Sequence, residues 1–436
     1  MTPALLVWVA AAAFAGGFGA TAVLRHRAFE SGRFDLGNMT QAVWSTAQGD
    51  VLSVTNVHGE QVSRLGSHFD PILALLAPLW WLWPDPELLL VVQAVAVASG
   101  ALPVFWLARK HLGSGGVGTD GAAAALAVTY LLSPPAQWLT VSDFHPVALA
   151  CPLLLFAWWH LDQSRLWVFA VLAVAAIATK EHVGLTVAAI GVWYAVRHRA
   201  PKTGAGIAAA AGAAALVAAL VLVPHFAPAG VSAFASRYES PSFDGRDLSY
   251  LASLLLPLAL LPLAGPLSLL AALPELGLNL LSSTATQTSV KTHYAATVVP
   301  ALLVAAVFGV ARMGARFAYV TALAALAGTV VLGPLGRVHV RADAHDTAAR
   351  RGLALVPAGA PVSATNTLGA HLSARKRVFS FPVLEEAEWV VVDERHLTYL
   401  DSLAPGRART KLAALQRDPA WARVFAEDGV LVFRRS

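Results

Sequence analysis

The chain has 436 residues, 57% hydrophobic and 13% charged, with a net charge of +5 and a mean hydropathy of +0.61. Soluble domains carry roughly 25% charged residues, so a single water-soluble core does not fit and several membrane spans are expected. The modest positive charge does not point to nucleic acid, and the lone Cys151 excludes an intrachain disulfide or a cysteine-rich metal site.

Charge divides the chain. Residues 1–336 hold 16 Lys/Arg and 15 Asp/Glu, whereas the last 100 residues hold 15 and 11. Residues 1–336 therefore read as membrane-embedded and 337–436 as a small water-soluble domain. The opening "MTPALLVWVAAAAFAGGFGATAVLRHR" lacks a basic n-region, and its apolar run is long for a signal peptide. It reads as a retained first span.

Apolar runs give about eleven spans near the ~20-residue length that crosses a bilayer. They are 3–24, 88–108, 121–141, 146–161, 166–180, 182–196, 204–224, 250–264, 266–282, 294–311 and 317–335. The run "PILALLAPLWWLWP" (71–84) is short for a span and reads as an interfacial or re-entrant helix. Trp80-Trp81 and Trp158-Trp159 read as interfacial anchors. Basic residues in the short loops, "ARKH" (108–111), Arg165, "RHRAPK" (197–202), Arg312 and Arg316, mark the cytoplasmic side. The N-terminus then lies inside. The 25–87 loop, the 225–249 loop and the C-terminal domain lie outside.

The C-terminal segment alternates element types. "APVSATN", "RVFSFP" and "EWVVVDE" read as strands, "TLGAHLSARK" and 408–417 as helices, and "VFAEDGVLVFRR" as a hairpin around Asp428-Gly429. This is a small α/β domain with no Gly-rich phosphate loop. No Walker sequence, nucleophile elbow or HExxH occurs, so ATP is not expected as the energy source.

Ionisable groups in or near spans are costly and usually functional. Here they gather on the outer side. Asp35 opens an amphipathic helix over 35–48, with Asn38, Gln41, Ser45 and Gln48 on a polar stripe and Leu36, Met39, Val43 and Ala47 on an apolar one. That pattern predicts a helix lying on the membrane, which Asp35 either caps or serves chemically. Two segments mirror each other, "SHFDP" (67–71) and "SDFHP" (142–146). Each sets an imidazole and a carboxylate two residues apart before a Pro that opens a helix. His68, Asp70, Asp143 and His145 thus form a candidate set for a divalent metal, or for orienting a phosphate and a hydroxyl; local capping is the plainer alternative. "TKEHVGL" (179–185) adds Lys180, suited to a lipid phosphate, Glu181, suited to a sugar hydroxyl or metal, and His182. "KTHYAATVVP" (291–300) adds Lys291 and His293, and the 225–249 loop adds Arg237.

The stretches "RFDLGNMTQAVW", "HFDPILALLAPLWWLWP", "DFHPVALACPLL" and "KEHVGL" resemble a bacterial family of predicted membrane proteins of unknown function. That family is similar in layout to the GT-C membrane glycosyltransferases, which include protein O-mannosyltransferases and aminoarabinose transferases. The resemblance implies a polytopic helical fold and a polyprenyl-phosphate sugar as donor. It also implies a catalytic acid in the first outer loop, where Asp35 stands. Asp35 would then be the general base, with Asp143, His145 and Glu181 as further catalytic candidates. Lys180, Lys291 or Arg237 would hold the lipid phosphate, with His68, Asp70, His182 and His293 lining the substrate site. Two departures, His182 in place of an acidic residue and no Phe-Asp pair near Met39-Thr40, weigh against a metal more than against the base.

The function expected is transfer of a lipid-linked sugar at the outer face of the plasma membrane, with membrane lipids as surroundings and a divalent metal as the only cofactor considered. The rivals are a transporter or flippase of lipid-linked precursors and a non-catalytic membrane scaffold. A transporter places polar residues on broken helices near the midplane, often in repeats. One-sided clustering without a repeat favours the enzyme.

Overall fold

The computed structural model describes residues 1–113, 116–231, 235–239, 243–340, 343–404 and 407–436. Part of the 225–249 loop lies outside the described residues. The bulk of the chain is a bundle of apolar helices. Three of them, Pro3–Arg27, Glu87–Leu112 and Pro201–Phe226, are long and apolar enough to cross a membrane. Shorter apolar helices, among them Pro146–Asp162, Leu166–Ile177, Val183–Arg197, Val298–Met313 and Arg316–Leu332, pack with them. Pro3 at the first helical position and the Thr2 side chain, which accepts from the Leu5 N–H at 3.3 Å, start the first helix.

Two of the expected spans are broken, each for a backbone reason. The 121–141 run divides into Val117–Leu132 and Pro134–Val141, because Pro134 and Pro135 cannot continue the hydrogen-bond ladder. The 250–264 run is helical only over Gly245–Leu255. It then turns through Ala259 and Leu260 at φ of 51° and 59°. The unwound segment runs close against Val298–Met313. A Cβ on Gly309 would lie 2.3 Å from the carbonyl oxygen of Leu261, so only glycine admits this approach. The 204–224 span is longer than expected, Pro201–Phe226, and widens into a π-helical turn at Ala218–Leu222.

The tryptophan expectation is corrected in part. Trp158 is fully buried and meets Trp193 edge-on at 5.3 Å, and Trp80 is also buried. Trp81 is exposed.

Between the bundle and the C-terminal region lies helix Asn38–Ala47, with the antiparallel hairpin β1 (Ser53–Thr55) and β2 (Gln61–Ser63) against it. Most of both stripes is covered, and only Gln48 past its end is exposed. Leu36, Met39 and Val43 are buried, but so are Gln41 and Ser45 of the polar stripe. Gln41 donates to Thr55 Oγ1 and to the carbonyls of Arg375 and Lys376, and Ser45 donates to the carbonyl of Ser53. Gln41 and Ser45, expected on the polar side, thus face protein.

The C-terminal region builds a five-stranded mixed sheet from β3 (Val362–Ala364), β4 (Val378–Ser380), β5 (Trp389–Asp393), β6 (Trp421–Glu427) and β7 (Val430–Arg435), in the order β4-β3-β5-β7-β6. The first three are parallel; β7 runs antiparallel to β5 and β6. The hairpin turns at Asp428-Gly429 as expected, both at positive φ, 47° and 84°. Helix Asn366–His371 is shorter than predicted. Helix Ala344–Leu353 has no counterpart in the sequence reading; a reciprocal Asp343–Asp346 capping box starts it.

Candidate active site

Asp35 sits on a π-helical turn, Arg33–Gly37, that leads into helix Asn38–Ala47. Its carboxylate caps neither element. The turn is clamped to the C-terminal sheet by its neighbours. Arg33 is fully buried and donates to the carbonyls of Val378 and Thr55 and to Ser380 Oγ, the last two at 2.8 Å. Burial pulls its guanidinium down to about 10, still charged at neutral pH. The Phe34 N–H donates to Asn366 Oδ1 at 3.2 Å. A Cβ on Gly32 would lie 2.7 Å from Asn366 Nδ2, so the two segments meet at a distance that glycine allows.

The "SDFHP" segment delivers His145 to Asp35. Pro146 opens a 3-10 turn with His145 at the N-cap position, and the His145 side chain makes no capping bond. Gln93, buried in helix Glu87–Leu112, fixes this segment: its Oε1 accepts from the His145 N–H and its Nε2 donates to the Ser142 carbonyl, both at 3.1 Å. Arg25 donates to the Val141 carbonyl at 2.8 Å. The His145 Nε2 lies 3.2 Å from Asp35 Oδ1, and its Nδ1 lies 2.9 Å from the Asp143 carbonyl oxygen. A carbonyl only accepts, so Nδ1 carries a hydrogen and Nε2 is the nitrogen that deals with Asp35. The His293 ring stacks on His145 with centroids 3.7 Å apart. Burial, with the nearby positive groups, holds His293 well below the ordinary imidazole range, so it is neutral.

The two aspartates near His145 are driven apart. Burial and then the like charge of Asp35 push Asp143 up to about 6, although its Oδ2 accepts from the Gly32 N–H at 2.8 Å. Burial would raise Asp35 too, but the hydrogen bond and charge of His145, followed by Arg64, outweigh it and hold its carboxyl below the usual range.

The mirrored "SHFDP" segment does different work. Asp70 is an N-cap residue whose side chain makes no capping bond. It is buried and taken up by Arg64, at 2.8 and 3.0 Å, and burial pushes it up to about 6. Burial drives His68 down to about 3, so its ring is neutral and its Nδ1–H donates to Glu181 Oε1 at 3.0 Å. Glu181 Oε2 accepts from the Phe69 N–H at 3.0 Å. Burial opposes ionisation of Glu181, but His68 and Lys180 beside it hold it well below the ordinary value. His182 Nε2 lies 2.9 Å from Glu275 Oε2, a buried acid inside the 266–282 run.

These groups border two adjacent hollows. The larger, about 510 Å³, is lined by Asp35, His68, Asp70, His145, Lys180, Arg237 and His293, with Leu400 and Leu403 of the C-terminal region on its wall. The smaller, about 240 Å³, is lined by Glu181, His182 and Glu275 and by the apolar Leu185, Ala215, Leu216, Ala219, Val223 and Leu278. His68, Lys180, Arg237 and Tyr294 line both and so form the junction. Lys180 is buried, with Nζ 5.2 Å from the Tyr294 ring centroid, and Arg237 Nη1 donates to the Tyr294 hydroxyl at 3.0 Å. Asp143 lines neither hollow. Lys291 lies away from both hollows, its Nζ over the Trp138 ring at 5.8 Å.

The quartet expected to hold a metal does not come together. Asp70 is committed to Arg64, His68 to Glu181 and His145 to Asp35. Two i, i+2 pairs at separate helix starts were each drawn to a different partner. Sequence reasoning also missed Arg33, Gln93, Glu275 and Asn366. For Gln93 and Glu275 a signal existed, a lone polar residue within an apolar run. For Arg33 and Asn366 none did, because their partners are remote in sequence.

Two solved structures of ArnT from Cupriavidus metallidurans share this fold. The one bound to undecaprenyl phosphate matches with a TM-score of 0.59 at 13% identity, covering 99% of this chain and 97% of that one. The apo form matches with a TM-score of 0.57 at 14% identity, covering 92% and 93%. At these identities the likeness is one of fold, a GT-C-like membrane architecture. No curated protein matches the sequence. Residues 25–432 match the family described as "Predicted membrane protein (DUF2079)", and the chain belongs to that family.

Proposed function

We propose that this protein is an inverting membrane glycosyltransferase that moves a sugar from a polyprenyl-phosphate donor to an acceptor hydroxyl at the outer face of the plasma membrane. The observation that carries the reading is the adjacency of the two hollows: the Asp35–His145 pair faces the larger, the smaller has an apolar side of Leu185, Ala215, Leu216, Ala219, Val223 and Leu278, and Lys180, Arg237 and Tyr294 line both. A lipid-linked donor needs that order, with a greasy slot for the chain, cations for the phosphate and a polar chamber for the sugar. The ArnT relative of the same fold binds undecaprenyl phosphate, which supports the donor class.

In the proposed reaction the acceptor oxygen attacks the anomeric carbon as the bond from that carbon to the phosphate oxygen breaks. The bonding pair leaves with the phosphate, and the hydroxyl proton passes to the Asp35 carboxylate. One displacement inverts the anomeric centre. A carboxyl held below its usual range is ionised at neutral pH and ready to accept that proton, so its contribution rests on position more than on basicity. Lys180 and Arg237 offset the charge that collects on the departing phosphate. The 218–222 π turn widens the helix beside the apolar slot. On this reading the N-terminus is cytoplasmic and the chamber opens outside.

The donor class is tested with a photoreactive polyprenyl phosphate and the full chain in detergent micelles. The expected result is labelling of 201–226 or 273–281, competed by undecaprenyl phosphate. Labelling that undecaprenyl phosphate does not compete would overturn the lipid-donor reading.

A further inference from the structure

We propose that His345, Asp393 and His396 form a binding site for one divalent transition metal of the Zn²⁺ class, in the C-terminal region and apart from the chamber. Their donor atoms make a nearly equilateral triangle. His345 Nε2 is 2.9 Å from Asp393 Oδ2, His396 Nδ1 is 3.1 Å from His345 Nε2, and His396 Nδ1 is 3.1 Å from Asp393 Oδ2. Metal–ligand bonds of about 2.0–2.1 Å at tetrahedral or octahedral angles separate neighbouring donors by roughly 2.9–3.4 Å. An ion above the triangle therefore fits without rearrangement. Among the described residues it is the one group in which three His, Cys, Asp or Glu ligand atoms approach so closely.

The outer contacts are those a metal site requires. His345 Nδ1 lies 2.9 Å from the carbonyl oxygen of Asp428, which fixes the hydrogen there and leaves Nε2 with its lone pair toward the triangle. Asp393 Oδ1 accepts from the N–H groups of Arg395 and His396, at 3.0 and 3.1 Å, so Oδ2 is turned to the same point. Two imidazole nitrogens and a carboxylate suit Zn²⁺ and its neighbours rather than Mg²⁺ or Ca²⁺, which prefer oxygen. His345 and Asp393 are buried while His396 is exposed, so the fourth position opens to solvent.

The three ligands come from separate elements: the start of helix Ala344–Leu353, the end of β5 and the loop after it. That loop continues to Asp401, which accepts from the Asn366 N–H at 2.6 Å, and to Leu400 and Leu403 in the chamber wall. The metal thus ties the wall segment to the region whose Asn366, at the start of helix Asn366–His371, holds the Asp35 turn. Metal binding itself does not depend on the proposed transferase activity.

The test uses untagged full-length protein in detergent micelles, stripped with chelator, titrated with Zn²⁺ or Co²⁺ and assayed for metal by mass spectrometry after desalting. One retained equivalent of Zn²⁺ is expected, with d–d bands for Co²⁺ and no retention of Mg²⁺. His396→Ala, at an exposed position, keeps the thermal unfolding profile of the stripped protein while losing at least about 100-fold in affinity. Absence of stoichiometric Zn²⁺ binding, or equal retention by His396→Ala and His345→Gln, would reduce the triangle to a hydrogen-bonded cluster and overturn the proposal.

Discussion

Nε2 of His145 lies 3.2 Å from Oδ1 of Asp35, and Nδ1 of the same ring is committed to the carbonyl of Asp143. The ring is also stacked on His293 and its backbone is held by Gln93. It therefore has one orientation and one nitrogen to offer, and Asp35 is aimed by it. His145→Gln is expected to lower kcat for lipid-linked-sugar turnover by roughly 10–100-fold with little change in KM, since the aim of the carboxylate matters in the transition state more than in binding. A rise in KM alone would assign His145 to substrate binding.

Asp143 gives a pH dependence with a defined sign. It is pushed up to about 6 by burial and by the charge of Asp35, while Asp35 lies below the usual carboxylate range. As pH falls through about 6, Asp143 takes a proton first, and Asp35 loses the neighbouring negative charge that favours its accepting a proton. The rate–pH profile is expected to show an acid limb near 6. In Asp143→Asn, neutral at every pH, that limb is lost and the rate is reduced across the range. An acid limb unmoved by Asp143→Asn would detach Asp143 from the reaction.

Lys180 is a buried cation at the junction of the two hollows. Lys180→Met keeps the length of the stem and removes the charge. Affinity for undecaprenyl phosphate is expected to fall about tenfold, or roughly 1.4 kcal/mol, measured by microscale thermophoresis in nanodiscs. Equal binding by the variant would remove Lys180 from the phosphate role.

Arg33 fastens the Asp35 turn to β4, through Val378 and Ser380, and to β1, through Thr55, with no carboxylate among its acceptors. Arg33→Met leaves those buried acceptors unpaired, at a cost of about 2–3 kcal/mol. Limited proteolysis is expected to cut near 335–340 faster in the variant. An unchanged cleavage rate would show that the remaining contacts suffice.

The membrane class, the hairpin at Asp428-Gly429 and the strands of the C-terminal sheet were legible because each is written in local composition or period. The gathering of these polar residues was legible too, since Asp35, His68, His145, Lys180 and His293 line one chamber. What period alone misread was burial. The stripe of Gln41 and Ser45 is the same whether it faces headgroups or protein, and only the distant 375–376 carbonyls decide. The two His/Asp pairs look alike in sequence, yet Arg64 claims Asp70 while His145 turns to Asp35. The metal triangle was unreadable because His345 is separated from Asp393 and His396 by the strands that bring them together.

The most direct test of the proposed reaction is Asp35→Asn, with release of polyprenyl phosphate from a panel of undecaprenyl-phosphate sugars followed in membranes that also contain the acceptor. The amide keeps the size of the side chain and cannot take the proton. Turnover by the parent protein and a loss of at least about 100-fold in the variant, with undecaprenyl phosphate binding retained, is the predicted result. Undiminished turnover by Asp35→Asn would contradict it.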